Sequence, residues 1–99
     1  MDSASPIACN MTAIGPAQLP RYRDLVQRLR SAMTTRRELS DGYVYALDSQ
    51  SITVSEVDEW ITMERRCCPF LTFEQGEGRL TMRGPAGTKA VLQEEFPEQ

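Results

Sequence analysis

The chain has 99 residues, 40% hydrophobic and 25% charged, with a formal net charge of −3, which describes one ordinary globular domain with a single modest core. It carries three cysteines and no histidine; that excludes a Ser–His–Asp triad and deprives a cysteine nucleophile of its usual base. No apolar run approaches the roughly 18 residues of a membrane span, so no membrane partner is expected.

The start, Met1-Asp2-Ser3-Ala4-Ser5-Pro6, has neither the basic first segment nor the apolar core of a secretory signal. The expected compartment is a reducing cytoplasm, where thiols stay free, and the odd cysteine count agrees with that. Six of the eleven basic residues fall between Arg21 and Arg37, while Glu94, Glu95 and Glu98 make the end acidic. An acidic total without an aromatic ladder among the arginines argues against a nucleic-acid partner. The basic run reads as a solvated face.

In chain order, residues 1–15 form an irregular lead-in and residues 16–96 the core of one domain spanning 1–99. From about Pro16 to Arg36, the apolar residues Leu19, Tyr22, Leu25, Val26, Leu29 and Met33 recur at intervals of three and four, which predicts an amphipathic helix. Asp41-Gly42 is turn chemistry, and the β-rich run Tyr43-Val44-Tyr45-Ala46-Leu47 predicts a strand. Thr53 and Glu56 match a capping box at the start of a second helix, which carries Val54, Val57, Trp60 and Ile61 and then the cysteines. Pro69 ends it. Residues 70–75 and 79–83 flank Gly76-Glu77-Gly78 as a hairpin, with Leu80 and Met82 inward and Arg79, Thr81 and Arg83 outward. Gly84-Pro85 opens a last short helix to about Phe96, with Ala90, Val91 and Phe96 packing down.

This order predicts an α+β fold: a two-layer domain with three helices packed on a small, mainly antiparallel sheet of three or four strands. Three strands make a small sheet. Either residues 7–11 add an edge strand or a second subunit completes the layer as a homodimer.

The run Glu64-Arg65-Arg66-Cys67-Cys68-Pro69-Phe70 carries the most chemical information. At 100° per residue, Glu64 falls between Cys67 and Cys68 on the same helix face as Val57 and Ile61. A carboxylate on a buried stripe needs a partner. That partner is either an arginine of the first helix, backbone amides at a turn, or a site that the carboxylate and the thiols line together. Adjacent cysteines rarely bond to each other, but they offer two soft ligands to one ion. With Cys9 the count reaches three, a trigonal thiolate set suited to Hg(II), As(III) or Cu(I). Glu64 as a further ligand would suit Zn(II), although CxxC-type spacing is absent. Arg65 or Arg66 would offset thiolate charge at the negative end of the helix dipole. The opposing reading is plain core packing of small, apolar thiols.

Gly84-Pro85-Ala86-Gly87-Thr88-Lys89 looks superficially like a phosphate loop. It lacks the glycine before the lysine and the hydroxyl residue after it, so it reads as a turn and a helix start.

Ala8-Cys9, the Asp41-Gly42 turn, Glu64-Arg65-Arg66-Cys67-Cys68-Pro69-Phe70-Leu71-Thr72-Phe73 and Gly84-Pro85-Ala86-Gly87 together resemble a family of small bacterial proteins of uncharacterised function. Its members share an early Ala-Cys, a Glu-Arg-x-Cys-Cys-x-Phe core and a late Gly-Pro turn. The resemblance implies an association with heavy-metal handling and gathers Cys9, Cys67, Cys68 and Glu64 in one site.

The sequence therefore points to a thiol-based binding protein for a thiophilic metal or metalloid, acting as chaperone, buffer or detoxification accessory. Cys9, Cys67 and Cys68 are the expected metal ligands, and Glu64 and Arg65 the supporting residues. Two other classes stay open: a small cysteine-dependent enzyme or redox protein, and a structural or partner-binding module without a site.

Overall fold

The computed structural model describes residues 10–97. After a single 3-10 turn at Met11–Ala13, the chain forms α1 (Leu19–Ala32), β1 (Met33–Glu38), β2 (Gly42–Leu47), α2 (Val54–Cys67), β3 (Thr72–Gly76), β4 (Arg79–Arg83) and α3 (Thr88–Glu95). The four strands make one antiparallel sheet in the order β1-β2-β4-β3. This is the expected two-layer α+β fold.

The fourth strand is β1, taken from the end of the expected first helix. Helix α1 stops at Ala32 because Met33 turns extended, with its amide donating back to the Leu29 and Arg30 carbonyls. The β-branched pair Thr34-Thr35 then favours strand geometry. Thr34 is the extra residue of a bulge, since Met33 pairs with Leu47 and Thr35 with Ala46. Residues 7–9 lie outside the described residues, and Asn10 and Met11 are not in a strand. At its other end α1 begins at Leu19 rather than Pro16: Gly15 adopts φ +85°, and a turn intervenes before Pro20 enters the first helical turn.

Two local signals are met in full. Thr53 accepts from the Glu56 amide while Glu56 accepts from the Thr53 amide, closing the capping box. The hairpin closes with Gly76 opposite Arg79, and Gly78 takes the positive φ (+65°) that glycine supplies without strain. Gly42 answers a different need. A Cβ there would overlap the Met82 backbone carbonyl, so β4 approaches too closely for any side chain.

Strand register puts Tyr43 and Met82 beside Phe73, and Tyr45 beside Leu80, on the face that meets the helices. Trp60 of α2 meets Phe73 and Phe96 edge-on, both with ring centroids 5.7 Å away, and Phe96 meets Tyr45 at 6.0 Å. Leu25, Leu29 and Leu92 complete this core. The opposite face carries Arg37, Val44, Thr81 and Glu74 in one row. Thr81 points outward as expected, yet its neighbours leave it only 7% exposed.

The last helix starts at Thr88, three residues later than the Gly-Pro signal suggests, because Gly87 at φ +97° forms its cap. Thr88 packs on Gly84, and Lys89 pairs with Glu38 and lies over the Tyr43 ring. The segment is a turn and a helix start.

Candidate metal centre

The site is built by the last turn of α2, whose period brings Glu64 and Cys67 to the buried face that Val57, Trp60 and Ile61 occupy further up. Pro69 stops the helix, and Cys68 leaves helical geometry at φ −127°, ψ 69° while its amide still donates to the Glu64 carbonyl. That departure swings the Cys68 side chain beside its neighbour instead of 100° round the helix. The two sulfurs lie 3.6 Å apart. Ligand atoms of Glu64, Cys67 and Cys68 all fall within 4.8 Å of one another, and all three residues are 0% exposed.

Cys67 is a free thiol, and Cys68 is disulfide-bonded. The expectation of free thiols throughout is therefore not met at Cys68. Cys9, the third expected ligand, lies outside the described residues.

Glu64 finds its partner on the first helix, but it is a tyrosine and not an arginine. The Tyr22 hydroxyl donates to Glu64 Oε1 at 2.6 Å, and the Cys67 thiol donates to the same oxygen at 3.5 Å. Tyr22 Oη also lies 3.2 Å from Glu95 Oε2 and 3.9 Å from Cys67 Sγ. A phenol has one proton to give. The hydroxyl is placed to donate to either carboxyl, and the shorter contact is the one to Glu64.

The electrostatics agree. Burial, and then the facing Glu64 carboxyl, push Glu95 up to about 8, so it is protonated at neutral pH. Burial and the Glu64 carboxyl also push the Cys67 thiol up to about 12, and the same causes raise the Tyr22 phenol above its ordinary range. The Tyr22 hydroxyl is thus shared between the Glu64 and Glu95 carboxyl groups, with the Cys67 thiol donating to the same Glu64 oxygen. The Glu95 and Glu64 side chains also meet each other directly, and that contact helps to hold the proton on Glu95.

Tyr22 and Glu95 are absent from the expected site. Tyr22 reads as one more apolar position on the α1 stripe, and Glu95 as one of several acidic residues near the end. Only folding brings them to α2, across 42 positions for Tyr22–Glu64 and 73 for Tyr22–Glu95. Arg65 and Arg66 lie on the exposed side of α2. The Arg65 guanidinium stands 5.8 Å from the Phe73 ring centroid, and Arg66 Nη1 donates to Gln18 Oε1. Both are engaged away from the thiols.

Comparison with protein-family models, with curated proteins and with solved structures finds no match for this chain. No helix among the described residues is long and apolar enough to cross a membrane.

Proposed function

We propose that the reduced protein is a cytoplasmic binding protein for a thiophilic metal or metalloid ion, working as a chaperone, buffer or detoxification accessory. Cys67 and Cys68 are the thiolate ligands, and Glu64 is the carboxylate beside them. Cys9 is the third sulfur that a trigonal Hg(II), As(III) or Cu(I) site would use. The observation that carries the reading is the mutual approach of the three ligand atoms, within 4.8 Å, in a fully buried pocket. Vicinal thiols that served only as packing would not need a carboxylate between them.

Binding requires reduction of Cys68, so the ion and the disulfide compete for the same sulfur. The raised Cys67 thiol weighs against the cysteine-nucleophile alternative, because such enzymes lower the pKa of the attacking sulfur.

The experiment is titration of the reduced protein with Hg(II) or Cu(I), followed by ultraviolet absorption. A thiolate-to-metal charge-transfer band should grow to saturation, and it should vanish when Cys67 and Cys68 are both changed to serine. A spectrum that does not change on adding metal to the reduced wild type ends this reading.

A further inference from the structure

The chain has three cysteines, and they must account for the disulfide at Cys68. Cys67 is a free thiol that donates to Glu64 Oε1, so it takes no part in that bond. Within one chain this leaves the sulfur of Cys9, which lies outside the described residues. A second observation, independent of the count, points the same way. Asn10, next in sequence and the first residue described, donates its amide to the Cys67 carbonyl at 2.6 Å. Its side-chain oxygen accepts from the Thr12 amide and hydroxyl, and its carbonyl from the Ala13 amide, so this entry point is held by local bonds as well. The described chain therefore begins against the C-terminal end of α2. One Cα step spans about 3.8 Å, and a disulfide joins Cα atoms about 4.4–6.8 Å apart. Position 9 is within reach of Cys68.

Resting for its second half on the metal reading above, we infer that Cys9 and Cys68 form a disulfide that acts as a redox lock on the thiol site. The closed lock joins two of the three sulfurs to each other and leaves Cys67 alone. A thiol reductant opens it. The bridge then takes up two electrons and two protons: its S–S bond breaks, two protein thiols form, and two reductant thiols leave as one disulfide. Both thiols join Cys67 as ligands, ready to exchange their protons for a soft cation. A small-molecule disulfide runs the same exchange backwards and closes the site. Disulfides in a reducing compartment are mostly of this reversible, sensing kind. A bridge that served stability alone would gain nothing from a spare thiol beside it, which invites exchange. Here the Cys67 sulfur lies 3.6 Å from that of Cys68.

The bridge is tested by a tryptic map of the full chain after oxidation with glutathione disulfide, its free thiols blocked with N-ethylmaleimide in denaturant. Trypsin cuts after Arg21, Arg66 and Arg79, leaving Cys9 in residues 1–21 and the other two cysteines in 67–79. The expected product is these two peptides joined, with one maleimide on Cys67. Maleimide on all three cysteines, a bond inside 67–79 or a disulfide-linked dimer of the chain overturns the assignment. The lock is tested by titrating Cd(II) into oxidised and reduced protein and following the charge-transfer band. Oxidised wild type should show no band, and a phosphine should restore it. Cys9→Ser keeps two thiols and cannot form the bridge, so its band should be the same with and without the oxidant. Full binding by oxidised wild type, or a Cys9→Ser band that the oxidant abolishes, overturns the lock while the metal site stands. If reduced wild type shows no band, the metal reading falls and the lock with it, and the tryptic map still decides the Cys9–Cys68 bridge.

Discussion

Helix α2 has two ends of opposite character. Its middle, around Trp60, sits among Phe73 and Phe96, where ring edges meet ring faces and shape complementarity does the stabilising. One to two turns further on, Glu64 and Cys67 sit among Tyr22, Glu95 and Cys68, equally buried but polar. The first region gains from burial. The second loses by it, since two carboxyl groups are taken out of water there beside one another. A helix that needed only stability would carry apolar residues in both places, because well-packed hydrophobic replacements of buried ionisable groups are often neutral or stabilising. The contrast sets the polar end apart as the place where the fold buries ionisable groups that packing alone does not need.

The largest effect should come from the apolar end. Trp60→Ala should cost about 3–5 kcal/mol of folding free energy, measured by urea unfolding of the metal-free protein. A small loss would mean that the aromatic cluster is not the anchor the comparison requires. At the polar end, Glu64→Gln should behave in the opposite way. An amide oxygen still accepts from Tyr22, so stability should change by about 1 kcal/mol or less, while metal affinity should fall about tenfold or more. A large stability loss with unchanged metal affinity would reverse the roles assigned to the two ends.

The pH dependence sharpens the same contrast. In the folded protein Glu95 is raised to about 8, above the roughly 4.3 of an unfolded glutamate. The native state therefore holds the extra proton between those values. That contribution is fully present below the unfolded pKa and is lost as pH rises through about 8. Metal-free wild type should lose stability across this window, and Glu95→Gln should flatten the slope without altering the Trp60 end. Equal slopes in the two proteins would remove Glu95 from the account. The smallest effect belongs to the start of α2, where Thr53→Ala opens the capping box and should cost about 1 kcal/mol, with metal affinity untouched.

How much of this was legible beforehand follows from the range of the interactions. The capping box, the Gly76–Gly78 hairpin and the Pro69 stop are local, and each could be read from a few adjacent residues. The burial of Glu64 beside the cysteines followed from helical period alone. Strand β1 was not legible in the same way. As an edge strand of sequence Met-Thr-Thr-Arg-Arg-Glu, it has no alternating apolar residues, and its first residue continues the α1 period. Glu95 and Tyr22 were hidden for another reason. Nothing local distinguishes a tyrosine in an apolar stripe, or a glutamate in an acidic tail, from residues that never meet a functional group. Their roles arise only from the packing of α1 and α3 against the end of α2. Arg65 and Arg66 show the converse: adjacency to the cysteines in sequence suggested charge compensation, but helical rotation carries both to the solvent side.

The most direct measurement is native mass spectrometry of the reduced chain after exposure to Zn(II) or Cd(II), beside the Cys67→Ser, Cys68→Ser double variant. The account predicts one retained ion on the wild type and none on the double variant. Ion-free wild type, or the same loading on both proteins, would contradict it.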